Sequence, residues 1–179
     1  MTHKELLKLL TENDILFVVI GGVAMRVYAS PRPTSGIDLA VRTLDVDAVL
    51  ELLYSRSYYL ITQVDADRAT IALDAVAAAE RVESEKAGAM SLAKLRYLPR
   101  KESIPLEEIL AESQVNVFFE PGVPIARLAA NAQTVELPDV SFRVAAVEDL
   151  ITMEERRPDG SEAEGEDLRF LRRLLRRGS

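Results

Sequence analysis

The residues best suited to chemistry lie between positions 17 and 41. An apolar run, ILFVVI at 15–20, ends in Gly21-Gly22, and VAMRVYAS follows as a short helix stopped by the PRP at 31–33. Thr34, Ser35 and Gly36 then lead into IDLAV at 37–41, where Asp38 points opposite to Ile37 and Leu39. Glycine permits positive φ and lets a ligand approach the main chain closely. The start of the helix behind it offers free N–H groups and a positive dipole end, which favour a phosphate. The same pair also suits a tight strand–helix turn with no ligand, so both readings stay open on these residues alone.

The composition limits the alternatives. The chain has 179 residues, one domain by length, and can bury roughly 70% of its unfolded surface without a metal or disulfide staple. It has no cysteine and one histidine, His3, which reads as an exposed terminal residue. Disulfide frameworks, thiol nucleophiles and cysteine–zinc sites are excluded, and a Ser–His–Asp triad or a multi-histidine site is disfavoured. A metal would be held by oxygen ligands, and acid–base work would fall to carboxylates, lysines or water. No apolar run reaches the length of a membrane span, and Lys4, Glu5 and Lys8 interrupt any leader-like segment. The expectation is a cytoplasmic protein with no membrane partner.

The elements that would position these residues read as a mixed α/β pattern in one unit, residues 1–179. Residues 4–13 read as an amphipathic helix. The run at 15–20 suits a strand covered on both faces, and 37–41 a second strand. Asp45 would cap a helix to about residue 56, and YYLIT at 58–62 is a third strand. Residues 66–90 read as an Ala-rich helical stretch, 92–98 as a strand, and 99–113 as a loop with a short helix. QVNVFF at 114–119 is a strand. A helix at 124–131, strands near 133–137 and 141–145, and a helix from Val147 follow. Residues 158–165 read as a polar linker to a basic amphipathic helix, 166–178. Phe118, Phe119, Tyr58 and Tyr59 read as core or subunit contacts.

The segment FVVIGGVAMRVYASPRPTSGIDLAV resembles the core motif of the nucleotidyltransferase superfamily, the fold shared with DNA polymerase beta. It is closest to the compact bacterial branch related to abortive-infection and type IV toxin–antitoxin nucleotidyltransferases. Gly21-Gly22 match the family's glycine pair, Arg32 and Thr34 its Arg–x–Thr step, and Asp38 the second acid of its Asp–x–Asp. VNVFF at 115–119 stands where the family places its third carboxylate, and VEDLITMEERR at 147–157 resembles its late helix. The resemblance implies an α/β (α+β) fold with a mixed sheet flanked by helices. It also implies nucleotide binding by Gly21, Gly22, Arg32, Thr34 and Ser35, and metal binding at Asp38, with a weak contribution from Asn116.

Nucleotidyl transfer uses two Mg²⁺ ions that bridge the attacking hydroxyl and the triphosphate, and magnesium favours carboxylate oxygens. This sequence retains one of the three family carboxylates. Gly36 holds the first position and Asn116 the likely third, while Glu154 stands where relatives carry a lysine. Arg156, Arg157 and Glu120 are substitutes in sequence only. The resemblance therefore implies a catalytically degenerate protein that binds a nucleotide (NTP) or a protein partner, or pairs with itself, in a regulatory or toxin–antitoxin-type role. The alternative is an active minimal nucleotidyltransferase, moving NMP from NTP to an RNA, a protein or a small hydroxyl acceptor through Mg²⁺ at a weakened site. The arginines at 169, 172, 173, 176 and 177 read as a solvated face. The net charge is −7, and the body before Glu166 is more acidic still, which argues against broad RNA binding.

Overall fold

A computed structural model describes residues 2–111, 113–119, 121–156 and 162–178. Among them eight helices flank a nine-stranded mixed sheet. The strands are β1 (Phe17–Ile20), β2 (Ile37–Val41), β3 (Tyr58–Val64), β4 (Arg68–Ile71), β5 (Ala89–Lys94), β6 (Ser103–Pro105), β7 (Gln114–Phe118), β8 (Gln133–Leu137) and β9 (Val140–Val144). Their order in space is β6-β4-β3-β5-β7-β2-β1-β9-β8. The helices are α1 (His3–Glu12), α2 (Gly21–Val27), α3 (Val46–Tyr54), α4 (Ala75–Glu85), α5 (Leu106–Leu110), α6 (Ile125–Asn131), α7 (Val147–Glu155) and α8 (Glu162–Gly178). None of the described helices is long and apolar enough to cross a membrane.

The apolar run at 15–20 becomes the central strand β1, buried at every position. It lies between β2, antiparallel, and β9, parallel. β2 then pairs with β7 in parallel, and β7 with β5 antiparallel. Side chains alternate across these strands. Ile37 and Leu39, Val115 and Val117, and Met90 and Leu92 therefore share one face and enter the larger core with Val49, Leu50 and Leu53 of α3. Asp38, Asn116 and Ser91 share the other. A second, smaller core joins Tyr59, Ala69, Ile71, Ala93 and Ile104 to Ile109 of α5.

Several expectations change. Residues 66–90 are not one helical stretch: β4 occupies Arg68–Ile71 and α4 begins at Ala75. β5 begins at Ala89, earlier than the strand expected at 92–98, and the loop at 99–113 contains β6. Asp45 makes no capping hydrogen bond; its carboxylate accepts two from Arg42, at 2.7 and 2.9 Å. α8 begins at Glu162, inside the expected linker. Glu120, Arg157 and residues 158–161 lie outside the described residues, as does the side chain of Arg177. Tyr58, Tyr59 and Phe119 are buried, as the sequence suggests.

His3 is not an exposed terminal residue. It sits in the first turn of α1, half-buried, and its Nε2 has no hydrogen-bond partner among the described residues. Burial, and then the charge of Arg26, lower its pKa below 6.5. The folded state thus binds this proton less readily than the unfolded chain. The contribution to stability is complete above about pH 6.5 and is lost as pH falls below it. The urea midpoint should fall between about pH 7 and 5.5, and His3→Gln should flatten that fall. An unchanged slope in the variant would remove His3 from the account.

Candidate nucleotide site

The site begins where β1 turns into α2. Gly21 has φ of 58°, in the left-handed region. A Cβ at this residue would lie 2.0 Å from Asp38 Oδ2, and one at Gly22 would lie 2.5 Å from Thr34 Oγ1. The glycine pair is thus required by two neighbouring side chains, which reach the main chain where a Cβ would otherwise stand. β1–β2 pairing opposes Ile20 to Asp38 and so sets the acid beside the turn.

β2–β7 pairing opposes Asp38 to Asn116, and β5–β7 pairing opposes Ser91 to Asn116. The three polar residues form one hydrogen-bonded row. Ser91 Oγ donates to Asn116 Oδ1 at 2.7 Å, and Asn116 Nδ2 donates to Asp38 Oδ1 at 2.8 Å. A carboxylate only accepts, so the amide nitrogen, and not its oxygen, must face Asp38. All three side chains are partly buried.

Gly36 lies just before β2, beside Gln114 of β7. A Cβ there would stand 3.0 Å from the Gln114 carbonyl oxygen. Thr34 Oγ1 donates to the Gly36 carbonyl at 3.1 Å, closing the loop before β2. A side chain at position 36 therefore requires β7 to give by a few tenths of an ångström. Gly36→Ala should cost about 1–2 kcal/mol of stability, read from denaturant midpoints. A neutral effect would show that this edge of β7 yields freely.

The other expected residues are spread around this centre. Ser35 is exposed beside Thr34. Arg32 is ion-paired with Asp167 of α8, so the cation proposed for phosphate has a carboxylate partner. Arg156 donates to the Gly122 carbonyl and packs against that glycine, and α7 is instead fixed by the fully buried Asp149. That carboxylate accepts from Asn131 at 3.0 Å and lies 2.8 Å from Arg127. Of the α8 arginines, Arg172 pairs with Glu155 at 2.7 Å. The residue that sequence reasoning missed is Ser91. Only the β5–β7 register brings it to Asn116, and SLAKL contains no signal for that register.

No family model and no curated protein matches the sequence. Among solved structures the chain is similar to the lincosamide antibiotic adenylyltransferase LnuA, solved with lincomycin bound. The TM-score is 0.54 at 13% identity, over 96% of this chain and 97% of that one. The chain has the nucleotidyltransferase fold. Two proteins assigned as nucleotidyltransferases are also similar. One, from H. pylori, has TM-score 0.47 and 14% identity over 94% of this chain and 64% of that one. The other, from Thermotoga maritima, has TM-score 0.46 and 12% identity over 99% and 96%.

The nucleotidyltransferase fold brings with it the question of a divalent metal. Two Mg²⁺ ions need several converging oxygen ligands, mostly anionic. Here Asp38 is the single carboxylate of the row, and its neighbour turns an N–H toward it. Among the described residues no three acids or histidines converge as a metal cluster. The described donors of this row do not by themselves fit a two-metal centre.

Proposed function

We propose that this protein is a nucleotidyltransferase-fold binding protein that has lost efficient two-metal transfer and takes a nucleotide beside Gly21, Gly22, Thr34 and Asp38. The observation that carries this reading is the Asn116–Asp38 hydrogen bond. It turns a donor toward Asp38 at the position to which the sequence resemblance assigns a third anionic ligand, and Gly36 stands at the position it assigns to the first. Ser35 and, after release from Asp167, Arg32 supply phosphate contacts. The sequence resemblance supports a regulatory or toxin–antitoxin-type setting, in which a protein partner or a second copy reads the bound state. The pairing of Arg172 with Glu155 and the acidic body weigh against RNA as the ligand.

Calorimetry with ATP tests the reading. ATP should bind, and adding about 5 mM Mg²⁺ should change its affinity by less than about twofold, or about 0.4 kcal/mol. Failure of ATP to bind, or a tenfold gain with Mg²⁺, would sink the proposal. The second reading, an active minimal nucleotidyltransferase, draws on the likeness to an adenylyltransferase over nearly the whole chain. Label transfer from an NTP with Mn²⁺ to an RNA, protein or hydroxyl acceptor, abolished by Asp38→Ala, would put it first.

A further inference from the structure

The sheet divides at β3. β3 pairs with β5 only from Tyr58 to Leu60, opposite Leu92 to Lys94. The next position, Ile61, would face Ser91 if the ladder continued. On its other edge Ile61 stays paired with Ile71 of β4, where the register shifts between Ile61 and Gln63. No ladder pair joins Ile61–Val64 to Ala89–Ser91. The two strands diverge around a cleft of about 570 Å³, within the size range of small-molecule sites. The diverging strands present main-chain donors and acceptors to that space.

The lining defines the ligand chemistry. Ile61, Ile109 and Leu110 supply apolar walls, while Thr62, Ser91 and Gln114 supply neutral polar groups. Among the described residues the charged lining groups, Arg81 and Glu85, are paired with each other at 2.6 Å. The cleft is therefore balanced in charge, unlike a triphosphate site. Ser91 belongs to both places: its hydroxyl proton goes to Asn116, and its oxygen lone pairs remain as acceptors. Asp38 lies two strand spacings away, about 10 Å.

We propose that the cleft between β3 and β5 binds an uncharged, hydroxylated amphipathic small molecule, and that Ser91 joins this site to the Asp38 row. The ligand class rests on the cleft's own lining. Only its pairing with a nucleotide rests on the function proposed above. A bound molecule meets the main-chain edge where the β3–β5 ladder stops, and its apolar part lies against Ile109 and Leu110.

Amide NMR shifts of the full chain test this with three probes that share one tail: hexyl β-glucoside, hexyl sulfate and hexylammonium. Hexyl glucoside should give saturable shifts at Ile61, Ala89, Ser91 and Gln114 without metal or nucleotide. The charged probes should bind at least about tenfold more weakly, since the described lining charges, Arg81 and Glu85, already neutralise each other. Ser91→Trp should abolish the shifts by filling the cleft. Because that variant risks misfolding, Gln114→Leu is the second test, with hexyl glucoside affinity lowered about threefold or more. Non-saturating or scattered shifts, or equal binding of all three probes, overturn the proposal. Saturable binding of an extended peptide in preference to hexyl glucoside does so too. A parallel ATP titration separates the two readings. Lost glucoside shifts with ATP shifts retained at Gly21 reject the cleft alone, and the reverse pattern rejects the nucleotide site alone.

Discussion

Gly21→Ala should destabilise the protein by about 2.5–5 kcal/mol, the sum of two contributions. A non-glycine residue at φ of 58° costs about 1–2 kcal/mol. The new methyl would also stand 2.0 Å from Asp38 Oδ2, so Asp38 must swing away and abandon Asn116. Losing a hydrogen bond to a charged group costs about 1.5–3 kcal/mol. For a chain of this length the melting temperature should fall by about 5–20 °C. The origin is separable by a double-mutant cycle. In an Asp38→Gly background the clash and the hydrogen bond are both gone, and Gly21→Ala should then cost only the backbone contribution. The two substitutions should therefore couple by about 2 kcal/mol. Strict additivity would mean that the glycine serves the turn alone and that Asp38 does not approach it.

Asn116→Asp should convert the row into a pair of carboxylates and reveal what the asparagine does. At neutral pH the variant should lose about 2 kcal/mol, from the missing N–H donor and from like-charge repulsion. Two acids this close share a proton, which raises a folded-state pKa above the unfolded value of about 3.9. A raised pKa gives stability that is present at low pH and lost as pH rises through it. The variant should thus recover relative to the parent as pH falls from about 7 toward 4.5. Millimolar Mg²⁺ should also restore it, because a cation now finds two anionic ligands. Thermal denaturation with and without Mg²⁺ reads both effects. Equal stabilisation of parent and variant by Mg²⁺ would show that Asp38 and Asn116 already hold the ion.

What was legible in the sequence follows from where each signal originates. β1 and β2 carry their own patterns, an unbroken apolar run and an alternating IDLAV, and the glycine turn between them is local. Asp38, Asn116 and the turn were thus open to reading from one short segment and one strand. β4 was not. RATI is brief, and what makes it a strand is its pairing with β3 and β6. Ser91 is polar in a stretch with no local mark, and its meaning depends on a register set by β7. His3 reads as terminal because neither its burial in the first turn of α1 nor its approach to the charge of Arg26, remote in sequence, has a local mark. The substitutions at 36 and 116 were visible as letters. That the asparagine turns its nitrogen toward Asp38 required the row itself.

The place of β1 also orders events during synthesis. One side of this strand is covered by β2 (Ile37–Val41), the next strand in sequence. The other side awaits β9, at Val140–Val144. Until the ribosome has delivered that late segment, the most buried strand of the sheet has an open edge able to recruit another nascent chain. Arg32, beside the glycine turn, waits longer still for Asp167. Truncated products ending before residue 140 should therefore be recovered in aggregates, and those ending between 144 and 166 should be soluble but proteolytically nicked around residues 30–36.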